Sequence, residues 1–272
     1  MDSSVTMKRT QPPVGEGHKT LFERDGVLVI DTMVAPDEVA ELVAILEPLL
    51  SGQIDAGGQR ADFGDFDAEP SMIERTTQIM QVHDFVPGML ETGHAARTLA
   101  AARVILGEDM ELDMTMVMDK LPGTATPTPW HQDEAYWLPE IPDRRSFSVW
   151  LALDDAEVEN GCMWFVPGSH NQPTRTHDWI GPRGQGLKAE VADGEGVPVV
   201  LKAGSCTIHH GNMLHMAGGN VTTDRRRRAL ILNYRSAEMI AWERARGYDH
   251  RSENARNDGA PQTRALTPGE RR

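Results

Sequence analysis

The stretch SFSVWLALDDAEVENGCMWFVPGSH, residues 146–170, carries the reading of the fold. Its first part, SFSVWLALDDA (146–156), is rich in β-branched and aromatic residues and reads as a strand. Glu159-Asn160-Gly161 supplies turn chemistry, and CMWFVPGSH (162–170) returns as a second strand that stops at Pro-Gly. The rhythm continues downstream: VPVVLKAGSCTIHH (197–210) divides into two short strands about Ala203-Gly204, and ALILNY follows the arginine run 225–228. Upstream, LDMTMVM (112–118) alternates, with Leu112, Met114, Met116 and Met118 on one face and Asp113, Thr115 and Val117 on the other. Those methionines read as core packing, because Met fills irregular gaps. Short strands set apart by turn signals predict a β-sandwich or barrel.

The first half supplies helices. Ala35-Pro36-Asp37-Glu38 opens one, with proline and acids in the first turn. Val39, Leu42, Val43, Leu46, Leu49 and Leu50 then keep the helical period. LETGHAARTLAAARVIL (90–106) reads as another. LFERDGVLVI (21–30) is expected to be a turn entering a short buried strand. Residues 1–18 read as a loose arm, 51–70 and 171–197 as long surface loops, and 249–272 as a mobile tail. No linker composition interrupts 19–248, which reads as one domain with helices outside a β-core.

The composition narrows the function. A chain of 272 residues with 39% hydrophobic residues can bury a sizeable core. Its net charge of −14 argues against nucleic acid, which needs a basic face, and gives no pull toward anionic membranes. No apolar run has the length of a membrane span, and the N-terminal residues lack the apolar stretch of a secretory signal. Two cysteines, Cys162 and Cys206, make no disulfide framework, although a single bridge stays open. A reducing cytoplasm is the expected setting.

The chemistry centres on PWHQDEAYW (129–137). In an extended chain residues i and i+2 point to the same side, so His131 and Asp133 would present imidazole and carboxylate to one point while Gln132 turns away. Alone, the pair reads more often as a hydrogen-bonded surface pair than as metal ligands. The best third donor is His215 in GNMLHMAGGN (211–220); His209 and His210 compete, and one of that adjacent pair should point inward. Two imidazoles and one carboxylate form the donor set that binds ferrous iron and leaves positions open.

WHQD (130–133), VWLALDDAEVENGCMWFVPGSH (149–170) and AGSCTIHHGNMLHMAGGNVTTDRRRRALILNY (203–234) follow one another in order, after FERDGVLVIDTMVAPDEVAEL (22–42). Together they resemble the phytanoyl-CoA dioxygenase family of non-haem iron(II), 2-oxoglutarate-dependent oxygenases. The resemblance implies a double-stranded β-helix, a distorted jelly roll with outer helices. It implies His131, Asp133 and His215 as iron ligands, and an arginine after the distal histidine that binds the far carboxylate of 2-oxoglutarate. Counting forward from His215 gives Arg226; counting back from RALILNY gives Arg227, which strand register favours. Trp150 and Gln132 match positions at the cosubstrate pocket, and Gln81 and Met116 fall where relatives contact 2-oxoglutarate. His170 either walls the active site or stabilises its turn, and His210 stands behind the ligands or is structural.

The implied reaction hydroxylates an unactivated C–H of a small molecule, consuming dioxygen and 2-oxoglutarate and releasing succinate and carbon dioxide. Desaturation, epimerisation, oxidative cyclisation and a non-catalytic binding barrel are the alternatives. An acid at 133, where related halogenases carry a small residue, disfavours halogenation. Asp62, Asp65, Asp67 and Glu69 make the first loop acidic, which favours a neutral or cationic substrate over a CoA thioester; Arg175, Arg183 and Lys188 in the second loop weigh against that preference.

Overall fold

A computed structural model describes residues 7–63, 74–138, 140–180 and 186–250. The chain starts with β1 (Arg9–Thr10), α1 (Glu16–Asp25), β2 (Val27–Ile30) and α2 (Pro36–Leu50). Then come β3 (Arg60–Asp62), β4 (Thr76–Met80), α3 (Val82–Phe85), α4 (Gly93–Leu106) and β5 (Met110–Lys120). The second half adds β6 (Thr128–His131), β7 (Ser146–Ala152), β8 (Met163–Phe165), β9 (His177–Ile180), β10 (Gly186–Ala189) and β11 (Val197–Val199). It ends with β12 (Cys206–His210), β13 (His215–Ala217), β14 (Arg227–Ser236) and α5 (Ala237–Arg244).

Eight strands form one sheet in the order β1-β2-β12-β7-β14-β5-β4-β3. Four more form a second sheet, β11-β8-β13-β6, and β9 and β10 pair as a hairpin. This is the double-stranded β-helix expected from the sequence. Strand alternation sorts its contents. On β7 and β14, Phe147, Val149, Leu151, Leu230, Leu232 and Tyr234 face outward and pack under the helices. Trp150, Ala152, Ala229 and Ile231 face inward, toward Met163 and Phe165 of the smaller sheet.

α2 starts where the sequence predicts: the Glu38 carboxylate accepts from the Ala35 amide at 2.9 Å. Its face of Val39, Leu42, Leu46, Leu49 and Leu50 is buried against the outer side of the large sheet. A leucine buried that way contributes roughly 1.5–3 kcal/mol. α1 stops at Gly26, whose φ of 71° is left-handed; a Cβ there would lie 2.3 Å from the His170 ring.

Several expectations need correction. Residues 21–25 finish a helix rather than form a turn. The arm 1–18 is tied down from Arg9 onward, because β1 pairs with β2 and Arg9 bonds Asp31. The loop 51–70 contains β3, and 171–197 contains the β9–β10 hairpin. Leu112 does not share the face of Met114: Asn233 pairs with Met114 but Tyr234 pairs with Leu112, so Asp113 bulges out of register and Leu112 joins the outer core. Beyond β14 the chain forms α5, and the supposed tail begins with Asp249 and His250 packed against the domain. Residues 251–272, Asp65, Asp67, Glu69 and Arg183 lie outside the described residues. Cys162 and Cys206 are both free and buried.

Candidate metal centre and cosubstrate pocket

β6 ends at His131, and the chain passes through extended Gln132 into a short 3-10 turn that begins with Asp133. The smaller sheet pairs His131 with His215 directly across β6 and β13. The two imidazole centroids are 4.2 Å apart. Asp133 Oδ1 lies 3.8 Å from Nε2 of His131 and 3.6 Å from Nε2 of His215. Ligand atoms of all three residues fall within 4.8 Å of one another.

The rings are oriented from behind. His131 Nδ1 meets the Pro129 carbonyl at 2.7 Å, and His215 Nδ1 meets the Met213 carbonyl at 2.9 Å. A carbonyl can only accept, so each Nδ1 carries the proton and each Nε2 keeps its lone pair for the centre. Burial, with His215 alongside, pulls His131 down to about 3, so that imidazole is neutral near neutral pH. Burial pushes the Asp133 carboxyl up, but His215, His209, His131 and the Ser148 hydroxyl outweigh it and hold the group below the usual range. Neutral imidazoles and a carboxylate on one point are the donor chemistry that ferrous iron takes.

A cavity of about 210 Å³ opens beside the three donors. Met80, Met114, Met116, Met118 and Met163 line it, with Trp150, Trp137, Ile231 and Leu187. The methionine stripe is therefore pocket wall rather than the sealed packing expected from its pattern. Register explains the arrangement: Met80, Met116, Ile231 and Trp150 are successive partners across β4, β5, β14 and β7.

The two candidate arginines part company because neighbours on a strand face opposite ways. Arg226 faces outward, where its guanidinium is taken up by Asp119, at 2.6 Å, and Glu47, at 3.2 Å. As a cosubstrate anchor it is corrected: its donors are engaged elsewhere. Arg227 is 0% exposed and lies 5.3 Å from the Trp150 ring, on the inner side. Among the described residues, none offers a hydrogen-bond partner to its three guanidinium nitrogens. Burial lowers its pKa to about 10. Beside it in register is Lys120, also buried, whose Nζ donates to the Gly218 carbonyl at 2.7 Å. A buried planar fork with no acceptor fits the free carboxylate of a keto diacid.

The remaining expectations divide. Trp150 and Met116 line the cavity. Gln132 does not: its amide donates to Asn212 and accepts from the Arg175 amide, which fastens the 170–177 segment to β6. Gln81 does not either. β4 ends at Met80, and Gln81 turns with φ 51° so that its amide reaches the Asp249 carbonyl. His209 faces inward on the cavity wall, 3.8 Å from Asp133 Oδ2, whereas His210 turns away and accepts from the Asn212 amide. His170 packs against α1 through the Glu23 carbonyl and is not part of the wall.

Gln78, Ser148, Asn233, Tyr136, Tyr248 and His250 line the cavity without having been singled out. A signal existed for Asn233: in RRALILNY the odd positions share the inward face, and Asn233 stands there among apolar residues.

A family profile for phytanoyl-CoA dioxygenase (PhyH) matches residues 22–229. Ectoine dioxygenase of Streptomyces anulatus is 30% identical over 244 residues, covering 82% of this chain and 78% of that protein. Phytanoyl-CoA dioxygenase domain-containing protein 1 of Danio rerio is 33% identical over 135 residues, covering 47% of this chain and 46% of that one. EvdO2 from Micromonospora carbonacea var. aurantiaca, solved with 2-oxoglutarate, superposes with a TM-score of 0.70 at 29% identity, covering 85% of this chain and 94% of that one. The α-ketoglutarate-dependent carbocyclase SnoK from nogalamycin biosynthesis shares the fold, with a TM-score of 0.65 at 23% identity over 83% of this chain and 87% of that one. With the profile spanning most of the sequence and the donor set in place, the chain belongs to the phytanoyl-CoA dioxygenase family and is an iron(II)- and 2-oxoglutarate-dependent oxygenase.

Proposed function

We propose that the expected domain 19–248, extended to Arg9 and His250 by the contacts above, is one oxygenase domain that hydroxylates an unactivated C–H of a small molecule, releasing succinate and carbon dioxide. His131, Asp133 and His215 would hold iron(II), and Arg227 would anchor the distal carboxylate of 2-oxoglutarate beside Trp150. The observation that carries this reading is a three-donor cluster on a cavity wall that includes Trp150, with a buried guanidinium behind that tryptophan which has no acceptor among the described residues. Bound iron supplies the oxidising chemistry, with 2-oxoglutarate as its electron source and dioxygen as oxidant.

The protein's part is placement. The Pro129 and Met213 carbonyls keep both imidazoles in the ligating tautomer. Arg227 gives a two-pronged contact that sets the cosubstrate's orientation. Methionine and tryptophan side chains keep the reacting carbon away from bulk water. The intact donor set stands against a non-catalytic barrel, and the acid at 133 stands against halogenation. No helix among the described residues is long and apolar enough to cross a membrane, and both cysteines are free thiols; a cytoplasmic setting agrees with both facts.

The test is succinate release under air across a panel of small molecules, with product analysis of each hit. Oxygen added to a C–H supports hydroxylation, while a desaturated, epimerised or cyclised product moves the chain to that alternative. His131→Ala and Asp133→Ala should remove all turnover; retained turnover in either contradicts the metal assignment.

A further inference from the structure

One rung of the large sheet lies directly behind the metal candidate. Met114, Asn233, Ser148 and His209 are successive register partners on β5, β14, β7 and β12. The Ser148 hydroxyl donates to Asp133 Oδ2 at 2.8 Å. The Asn233 amide donates into the same hydroxyl oxygen at 2.9 Å. An amide N–H cannot accept, so the direction of this relay is fixed: Asn233 gives to Ser148, and the single hydroxyl hydrogen is left for Asp133. Ser148 and Asn233 are screened from bulk water, at 2% and 4% exposed, while Asp133 is half-buried. The other oxygen, Oδ1, is the one turned toward both ligating imidazoles.

We propose that Ser148 and Asn233 are positioning residues that hold Asp133 to one-oxygen ligation. The inference rests on the metal reading above and adds to it. A facial triad leaves three positions, and a chelating keto acid fills two of them. The third is needed for dioxygen. A carboxylate that swung to bind through both oxygens would take one of these positions and compete with cosubstrate. A charge-assisted hydrogen bond on Oδ2 opposes that swing, because the second oxygen would have to give up its donor. His209 approaches Oδ2 only to 3.8 Å, beyond hydrogen-bond range, so the hydroxyl is the group that holds it.

The consequence separates metal affinity from cosubstrate affinity. In Ser148→Ala, Mn(II) should bind as tightly as in the unaltered protein, or somewhat more tightly, since both carboxylate oxygens become available. Binding of 2-oxoglutarate to the Mn(II)-loaded protein should weaken on the order of tenfold, the loss of one charge-assisted hydrogen bond. Ser148→Thr keeps the hydroxyl and should restore cosubstrate affinity. Asn233→Ala should show the same split at smaller size, because Ser148 then lacks its orienting donor; it also serves if Ser148→Ala does not fold. Both affinities are read by calorimetric titration without oxygen, so no substrate is needed. Equal 2-oxoglutarate affinity in Ser148→Ala and the unaltered protein would overturn the clamp while leaving the metal assignment standing. Parallel loss of Mn(II) and 2-oxoglutarate binding would overturn it too, as a general effect on the site. If the unaltered protein binds neither, the metal reading itself fails.

Discussion

Arg227 and Arg235 stand eight positions apart on β14, and both are 0% exposed. Each lies beside a tryptophan: Arg227 is 5.3 Å from Trp150, and Arg235 is 5.4 Å from Trp137. Their pairing differs. Arg235 sits between the buried carboxylates of Asp113 and Glu243, and Arg244 and His250 complete the network. Arg227 has no acceptor at any guanidinium nitrogen among the described residues. An unpaired buried charge costs several kcal/mol, so a fold keeps one only where something else supplies the partner. The paired arginine holds structure together, fixing α5 and the Tyr248–His250 segment against the cavity. The unpaired one, beside Trp150 of the cavity wall, is the candidate anchor for an acidic ligand.

The largest expected effect sharpens that contrast. Arg235→Ala would leave two buried carboxylates short of a partner and should destabilise the fold by roughly 3–5 kcal/mol, read by denaturant unfolding. The same change at Arg227 should cost little stability, because no native ion pair is lost. Its cost should appear instead as a loss of 2-oxoglutarate affinity on the order of 100-fold. If Arg227→Ala unfolds the protein while Arg235→Ala leaves it intact, the assignment of roles is wrong.

Arg227→Lys offers a finer test. The charge stays and the planar fork goes, so the affinity loss should be on the order of tenfold, between the unaltered protein and Arg227→Ala. Ligand linkage gives an independent readout. With Mn(II) present, 2-oxoglutarate at 100 times its dissociation constant should stabilise the unaltered protein by about 2.7 kcal/mol. At that same concentration Arg227→Ala should gain far less, whereas a ligand that stabilised both proteins equally would be bound elsewhere.

The smallest effect concerns acid. Burial holds His94 and His210 down to about 4 in the folded state. Between the unfolded value near 6.5 and about 4, the unfolded chain takes up protons that the folded chain resists. Stability should therefore fall as pH drops through that window, and melting curves should flatten there in His94→Leu. The paired carboxylates act in the same direction further down. Asp113 is pushed up by burial but held far below the usual carboxylate range by His250, Arg235 and Arg244, so its contribution disappears only as pH falls below the unfolded carboxylate value.

The same two arginines show what the sequence could reveal. Strand alternation in RALILNY predicts that Arg227 and not Arg226 faces inward, and the register bears out that orientation. Alternation also places Met114, Met116 and Met118 on one face, because a period of two survives wherever pairing is regular. Leu112 escaped, because the bulge at Asp113 is set by the partner strand and leaves no local mark. The C-terminal boundary escaped for a related reason. His250, just past that boundary, is fastened by Asp113 as well as by nearby Glu243, and Tyr248 by Tyr136; the contacts to Asp113 and Tyr136 lie in no local window. Gln81 stands one residue past the end of β4, where its turn sends the amide to the Asp249 carbonyl, and the inward positions are Gln78 and Met80. Ser148 and Asn233 were each visible as polar residues on inward strand positions, but their partnership appears only when β7 and β14 are aligned.

The most direct measurement is an anaerobic titration of iron(II) and 2-oxoglutarate into the unaltered protein, followed by visible absorption. A weak charge-transfer band that needs both reagents, and that is lost in Asp133→Ala, is the predicted result. No band in the unaltered protein, with no succinate formed on admitting air, would contradict a centre built from His131, Asp133 and His215.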